Sequence, residues 1–215
     1  MSAGPGRPAP GAPADRSFAE LLAARRMCRD FLDEPVDPAA LRRVADAATR
    51  APSAGNTRAL DLLVLTGADA AAYWDLTLPA GRRAGFAWPG LPAAPVLMLA
   101  YVDPAAYVRR YAEADKVATG LGAGEEAWPV PYWFVDGGAA VMALLLAVEA
   151  EGLGALFFGQ FGHEEAVAEA FGVPPGRRAL GTVAVGHPRP GGRHRSTSAR
   201  RGRPTPDDVL HLGHW

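Results

Sequence analysis

The sequence is poor in cysteine, in lysine and in net charge. Among its 215 residues there is one cysteine, Cys28, and the formal net charge is −1. One cysteine excludes an intramolecular disulfide and leaves too few thiolates for a structural metal site. A net charge near zero gives the whole chain no general attraction to nucleic acid or to an anionic membrane. We therefore expect a protein of the reducing cytoplasm with neither of these partners.

Common signatures of catalysis and of membrane insertion are also missing. The sequence contains no GxGxxG, GxxxxGK[ST], GxSxG or HExxH motif. These absences disfavour a Rossmann dinucleotide site, a P-loop, a hydrolase elbow and a zinc-protease site, and we expect no metal. Residues 1–16 contain no apolar segment of the kind found in signal peptides. The longest apolar run, residues 137–148, is too short to span a bilayer and predicts a buried helix.

The composition is that of an ordinary globular domain. It is 49% hydrophobic and 21% charged, and the length suffices for one sizeable core. Residues 1–16, rich in proline, glycine and alanine, predict a disordered tail. We expect residues 17–195 to form one domain and residues 196–215 to form its C-terminal arm.

Hydrophobic periodicity and turn residues predict helices that alternate with a few strands. Ser17 and Glu20 form a capping-box pattern at the start of the first helix. Strands are predicted over residues 60–66, 96–102, 155–158 and 178–185, and further helices over residues 38–51, 104–116, 134–151 and 164–171. Residues 117–131 predict a long loop, of the kind that often covers a binding site. The fold class is therefore α/β or α+β.

Two polar segments are candidates for ligand binding. Three arginines fall within residues 25–29, in a chain whose only lysine is Lys116. Guanidinium groups bind phosphate or carboxylate through paired charged hydrogen bonds, although such a cluster is also typical of a solvated helix end. Residues 51–58, APSAGNTR, can bring backbone amides close to a ligand, but the same residue types form ordinary turns.

Two further segments have both a functional and an ordinary interpretation. Residues 156–161, LFFGQF, offer amides beside aromatic surface on which a flat heterocycle could pack; they also fit a core strand. Residues 200–204, RRGRP, resemble a solvated basic tail. The apolar residues that follow them, and the terminal Trp215, indicate instead that this tail docks on a surface.

Taken in order, these segments resemble the nitroreductase superfamily of FMN-dependent oxidoreductases. The resemblance covers roughly residues 18–215. It rests on the segments RRMCRDF at 25–31, Pro35-Val36, APSAGNTR at 51–58, the helix from Asp136 to Gly152-Leu153-Gly154, VGHP at 185–188 and the arginine-rich tail ending at Trp215. Each motif is weak, and their shared order is the specific signal.

The resemblance implies an α+β fold with a mixed central sheet flanked by helices, and a homodimer with FMN at the subunit interface. It implies that a C-terminal arm wraps the partner. The implied cofactor-binding residues are Arg25, Arg26, Met27, Arg29, Pro52, Ser53, Ala54, Asn56, Phe157, Phe158, Gly159, Arg201 and Arg203. Of these, Pro52, Ser53 and Ala54 would come from the partner, and a backbone amide near Gly159 would face flavin N5.

The resemblance also implies the activity: hydride passes from NAD(P)H through flavin N5 to an acceptor such as a nitroaromatic or quinone, in a ping-pong sequence. No catalytic side chain is then required, since the cofactor carries the redox chemistry. Alternatives within the superfamily are dehydrogenation of a specialised metabolite or fragmentation of flavin. Outside it, the alternative is a flavin-binding protein without activity.

Two departures from the family pattern concern the predicted site. Met27 stands where serine is common, and Arg58 stands where glutamine is common. Arg58, with Trp128 and Trp133, is a candidate for contact with the substrate. The two tryptophans are grouped with residues 104–131, the candidate substrate-facing loop, whose other interpretation is ordinary packing.

Overall fold

A four-stranded sheet organises the part of the chain that the computed structural model describes, residues 16–193 and 201–215. The strands are β1 (Leu60–Thr66), β2 (Val96–Val102), β3 (Gly154–Phe158) and β4 (Arg178–Gly186), in the spatial order β1-β2-β4-β3. All three ladders are antiparallel. A parallel bridge joins Met27 to Ala155 at the outer edge of β3. The predicted α+β class is confirmed; the four strands themselves form an antiparallel sheet, and the parallel bridge lies outside them.

Helices cover the sheet and connect its strands. They are α1 (Phe18–Ala24), α2 (Pro38–Thr49), α3 (Gly67–Thr77), α4 (Ala80–Arg83), α5 (Pro104–Tyr111), α6 (Tyr132–Ala150) and α7 (Glu164–Ala170). The capping box of α1 is confirmed: the Ser17 amide donates to the Glu20 carboxylate at 2.7 Å, and the Glu20 amide donates to the Ser17 hydroxyl at 3.3 Å. The predicted strands and most predicted helices lie within two residues of their observed bounds.

The observed local structure differs from the predictions at several points. The helix expected over residues 104–116 ends at Tyr111, where the chain turns back and Gly122 packs against the backbone of Ala112. Helix α3 was missed, although its alanine-rich sequence has Ala70, Tyr73 and Trp74 at helical spacing on its buried side. The expected loop over residues 117–131 contains three short 3₁₀ turns.

The sheet separates two hydrophobic clusters because successive side chains of a strand point to opposite faces. In β2, Leu97, Leu99 and Tyr101 pack with α3 on one face. Met98 and Ala100 pack with α2 and α6 on the other face. Every residue of β2 is buried, so this strand is covered by helices on both sides.

Helix α6 is the longest helix among the described residues, with 19 residues and a mean hydropathy of 1.6. By length and composition it could cross a membrane. Core helices of globular proteins meet the same criterion, and α6 contributes Val141, Leu144, Leu145 and Val148 to the cluster shared with α2 and the sheet. The expected buried helix is therefore confirmed, but it is longer than the apolar run that predicted it.

The ends of the chain are only partly described. The predicted tail, residues 1–16, lies outside the described residues except for Arg16, and so do residues 194–200 at the start of the predicted arm. The domain bounds 17–195 and 196–215 therefore stay predictions.

A buried carboxylate ties three parts of the chain together at the end of α6. Glu149 is 4% exposed, and its side chain accepts hydrogen bonds from Arg16 at 3.0 Å and from Arg193 at 2.8 and 3.0 Å. Arg16 also donates to the Glu149 carbonyl, and Arg193 donates to the Leu153 carbonyl at 3.0 Å. The carboxylate thus holds both the start of α1 and the segment after β4 against α6.

We expect Glu149→Ala to lower the free energy of unfolding by about 2–4 kcal/mol, because it leaves two partly buried guanidinium groups without their anion. The loss is smaller than for a fully enclosed pair, since the arginine side chains are 27% and 28% exposed. Urea unfolding followed by circular dichroism measures it. Glu169→Ala, at an exposed position of α7, is the control, and equal stability of the two variants would contradict the prediction.

Candidate functional site

Residues 27–32 run along the outer edge of the sheet. The Cys28 amide donates to the Ala155 carbonyl of β3 at 2.8 Å. On the other side, the Arg29 amide donates to the Gly192 carbonyl at 3.0 Å, and the Leu32 amide donates to the His187 carbonyl at 2.9 Å. The backbone is therefore held between β3 and the segment that follows β4, and the flanking arginines are placed beside β3.

The three clustered arginines have different surroundings. The Nε and Nη1 atoms of Arg25 are buried and have no hydrogen-bond partner among the described residues. Arg26 is exposed, and its Nη1 donates to the carbonyls of Ala23 and Arg25 at 2.6 and 2.8 Å, so it caps the C-terminus of α1. The guanidinium of Arg29 lies 5.1 Å from the ring centre of Trp88. Arg25 therefore has two buried nitrogens whose hydrogen bonds a ligand could accept.

The two phenylalanines at the end of β3 point to opposite faces of the sheet. Phe157 packs with the cluster on the α6 face, whereas Phe158 packs with the cluster on the α3 face. The Phe158 ring stacks on Trp74, with centroids 5.8 Å apart and planes inclined by 17°. Neighbouring strand residues cannot both lay their rings on one flat heterocycle, so the two side chains would serve different contacts.

A cavity of about 240 Å³ opens on the α3 face where β3 ends. The ring of Phe161 covers Gly159 closely, since a Cβ on that glycine would lie 2.6 Å from the ring. Phe161 has a left-handed backbone (φ +41°) and is 89% exposed. The cavity lining is largely aromatic and includes Tyr73, Trp74, Phe86, Trp88, Phe158, Gly159, Gln160 and Phe161.

Polar groups lie beside this aromatic lining. The indole Nε1 of Trp74 is buried without a hydrogen-bond partner in the described part of the chain. Gln160 is 4% exposed and donates to the Thr182 hydroxyl at 3.3 Å, while Tyr73 and Thr182 share a hydrogen bond of 2.9 Å. Burial raises the pKa of Tyr73 to about 12, so its hydroxyl stays protonated at neutral pH. The hydrogen bonds among Gln160, Thr182 and Tyr73 hold the backbone next to Gly159 in place.

The turn after α2 has an unusual backbone. Gly55, Asn56 and Arg58 all have left-handed conformations, with φ of +61°, +56° and +53°. The Ser53 hydroxyl accepts the Arg58 amide at 3.1 Å, and the Arg58 Nε donates to the Asn56 side chain at 2.8 Å. Since residues other than glycine seldom adopt this conformation, the turn depends on the contacts that hold it.

A second cavity, of about 300 Å³, opens beside this turn. Its polar lining comes from Ser53, Arg58, Tyr107 and Asp136, and its apolar lining includes Pro52, Leu60 and Val102. The side chain of Arg58 is exposed at its edge. The predicted contact residues Pro52 and Ser53 thus line a different cavity from Phe158 and Gly159.

The aromatic residues around α5 divide into core and surface. Trp133 is 5% exposed and packs with Tyr107 and Trp128 in a third hydrophobic cluster. Trp128 is 7% exposed, but with Tyr111 and Tyr132 it lines a third cavity of about 370 Å³, which Ala54 borders. The Trp128 indole donates to the Leu121 carbonyl at 3.0 Å.

The C-terminal segment carries apolar side chains into solvent. Leu210, Leu212 and Trp215 are 62%, 92% and 102% exposed in the single chain. Arg201 and Arg203 are exposed as well. Their predicted contact with the phosphate of a bound cofactor stays a prediction.

Sequence reasoning missed several residues of these sites. Trp88 lies under the Arg29 guanidinium, and Asp136 receives two hydrogen bonds beside the turn. The only sequence signal for Asp136 was its position at the entry of the apolar helix. Among the described residues, no group of three or more histidine, cysteine, aspartate or glutamate side chains could hold a metal ion.

Comparison with known proteins identifies the family. Residues 22–187 match the model of the nitroreductase family. A protein of Archaeoglobus fulgidus, named provisionally as an NADH dehydrogenase/NAD(P)H nitroreductase, is 23% identical over 173 residues, which are 79% of this chain and 84% of that protein.

Solved structures share the fold. The nitroreductase family protein of Streptococcus pneumoniae matches with a TM-score of 0.70 and 21% identity, over 91% of this chain and 99% of that chain. Nitroreductase CinD of Lactococcus lactis, in complex with nicotinic acid, matches with a TM-score of 0.67 and 21% identity, over 88% of this chain and 99% of that chain.

We expect the Cys28 thiol to be nearly inert in the native protein. It is fully buried, and burial raises its pKa, which lowers the fraction of reactive thiolate. Reaction with a chromogenic disulfide reagent at pH 8 should be at least about 100-fold slower in buffer than in 8 M urea, because the thiol must first be exposed. Free glutathione under both conditions is the control, and similar rates in the two solutions would contradict the prediction.

Proposed function

The chain belongs to the nitroreductase family and is an oxidoreductase, and on that premise we propose that it binds FMN and passes hydride from NADH or NADPH to a small organic acceptor. The family match includes the segments that hold Arg25, Ser53 and Gly159. Nitroaromatics and quinones are the acceptor classes that we propose.

The observation that carries the proposal is the state of Arg25. A buried guanidinium whose donors have no partner is costly, because its hydrogen bonds to water are lost without replacement. Arg25 has two such nitrogens, at the segment that the sheet edge holds beside β3. A phosphate group supplies the charge and the several acceptor oxygens that these nitrogens lack. The residues present therefore fit the phosphate end of FMN.

The end of β3 fits the ring of the cofactor. The backbone near Gly159 is held by the buried hydrogen bonds of Gln160 and Thr182, and Phe158 offers an aromatic surface beside it. Bound FMN would supply the redox chemistry, which is hydride transfer from the nicotinamide to the acceptor. The protein's part is to orient the ring and keep water from it, so no side-chain acid or base is needed. Donor and acceptor using one face in turn would give ping-pong kinetics.

We further propose that the working form is a homodimer with FMN at its interface. The turn with Pro52 and Ser53 and the end of β3 line different cavities of one chain, so a second copy would bring them together. Helix α6 leaves Tyr132, Val135 and Met142 exposed at 43%, 52% and 36%, which supplies an apolar face for that contact. The exposed apolar C-terminal segment is suited to wrapping a partner, with Arg201 and Arg203 reaching its FMN phosphate.

The acceptor site that we propose is the aromatic cavity of Tyr111, Trp128 and Tyr132. These electron-rich rings suit a flat, electron-poor ring, and Ala54 of the turn borders the same cavity. The CinD complex with nicotinic acid supports a family site for small ring compounds. Trp133 would support this cavity by packing against Trp128, and the exposed Arg58 could favour an acidic acceptor. The buried, unpaired Cys28 supports a cytoplasmic location.

We expect Arg25→Ala to weaken FMN binding by about 1.5–3 kcal/mol, the contribution of hydrogen bonds to a charged group. Titration calorimetry of the flavin-free protein measures the dissociation constant. Arg42→Ala removes an exposed arginine of α2 and serves as the matched control. An unchanged affinity in Arg25→Ala would remove Arg25 from the phosphate site.

The purified protein, reconstituted with FMN, should oxidise NADH or NADPH steadily when a nitroaromatic or quinone is present. Double-reciprocal plots should give parallel lines, because one substrate leaves before the other binds. Intersecting lines would rule out the ping-pong sequence. Bound FMN that neither nicotinamide reduces would indicate a silent flavin-binding protein, and progressive loss of FMN during turnover would indicate flavin fragmentation.

A further inference from the structure

One carboxylate connects three structural elements beside the turn after α2. Asp136 lies in the first half of α6, and its Oδ2 accepts the backbone amide of Ala54 at 2.7 Å. The same oxygen accepts the hydroxyl of Tyr107, on α5, at 2.8 Å. A single oxygen atom therefore ties the turn to both α5 and α6.

The turn needs such an anchor because its backbone conformation is unfavourable without stabilising contacts. Asn56 and Arg58 have left-handed conformations without being glycine. Such conformations are sparsely populated in free chains and persist where the surroundings hold them. Gly55 precedes them at φ +61°, and a Cβ there would come within 2.8 Å of the Tyr111 ring. The anchors therefore decide whether this backbone shape is kept.

Two anchors act on the turn from outside. Asp136 holds the Ala54 amide at its start, and Arg110 holds the Gly55 carbonyl in its middle, with Nε at 2.8 Å. Arg110 is itself fixed by Asp115, through bonds of 2.7 and 2.8 Å. Asp136 is the anchor that also lines the cavity shared with Ser53 and Arg58.

We propose that Asp136 is a positioning residue for flavin binding: it sets the shape in which Pro52, Ser53 and Ala54 meet a flavin held mainly by the second subunit. The inference rests on the proposed function, because it assumes that this turn contacts FMN across a dimer interface. Asp136 need not touch the flavin. It acts through the Ala54 amide, so its removal should loosen the turn.

Tyr107 keeps the carboxylate oriented. Its side chain is 1% exposed, and burial together with the neighbouring Asp136 carboxylate raises its pKa well above the ordinary value. The phenol is therefore protonated across the physiological range and remains a donor. Tyr107→Phe would remove one of the two bonds to Oδ2 and leave the Ala54 bond, so its effect on the turn should be smaller than that of Asp136→Ala.

The test compares Asp136→Ala with the conservative variant Asp136→Asn, whose carboxamide oxygen can still accept the Ala54 amide. Glu151→Gln is the matched control. Glu151 lies at the opposite end of α6, and its carboxylate likewise accepts two hydrogen bonds, both from Arg43 at 2.8 Å. Two quantities are measured: amide hydrogen exchange of residues 53–58 in the flavin-free protein, and the FMN dissociation constant by titration.

Asp136→Ala should speed exchange of the Ala54 amide and weaken FMN binding, each by about tenfold or more, the scale of one lost hydrogen bond to a charged group. Asp136→Asn should restore most of the native exchange rate and most of the FMN affinity. Tyr107→Phe should give values between those of Asp136→Ala and the native protein, and Glu151→Gln should change neither quantity. Unchanged exchange and unchanged FMN affinity in Asp136→Ala would overturn the proposal. Faster exchange with unchanged affinity would also overturn it, because the turn would then be anchored without serving the flavin.

The failure of the proposed function has a different signature. In that case the native protein itself binds no FMN, while exchange of the Ala54 amide still responds to Asp136→Ala. If Asp136→Ala does not fold, Tyr107→Phe and Asp136→Asn decide the question. Exchange and affinity equal to the native values in Tyr107→Phe, together with loss of both in Asp136→Asn, would contradict the role assigned to the shared oxygen.

Discussion

The pairing of Met27 and Cys28 with Ala155 at the edge of β3 is the contact on which the rest of the candidate site depends. It makes the segment that follows α1 an added edge of the sheet, and on the other side of this segment the Arg29 amide donates to the Gly192 carbonyl. Without it, the arginines would be solvated groups at the end of a short helix. With it, Arg25 is partly enclosed next to the strand that ends in the aromatic cavity. The Arg193–Glu149 bonds hold the other side of this segment in place.

The sheet distributes the functional groups because its two faces are separate environments. Phe158 and Gly159 lie on the α3 side of the sheet. The turn with Ser53 contacts α5 and α6 near the third hydrophobic cluster. Two half-sites on separate parts of one chain are a reason to expect that two chains complete them. Apolar residues of α6 and of the C-terminal segment are also exposed in a single chain, as the proposed dimer would require.

Local structure was largely predictable, and the exceptions have physical causes. The capping box at Ser17, the strand over residues 60–66 and the buried helix each carry their own signal in the residues. Helix α5 was predicted too long because its end is decided by the approach of Gly122 to the backbone of Ala112. Gly122 lies beyond the residues that predicted the helix. Arg26 was grouped with Arg25 by proximity in the sequence, yet it caps α1.

The class of fold, the family resemblance and the candidate binding segments follow from the sequence alone. Periodicity, capping and turn residues are local, and ordered motifs can be read along a chain. The packing of the chain shows that Arg25 has buried nitrogens without a partner among the described residues, which tryptophans lie in the core, and that Asp136 holds the turn. Those outcomes depend on burial and on hydrogen bonds between residues far apart in sequence, such as Asp136 and Ala54, which no local pattern encodes.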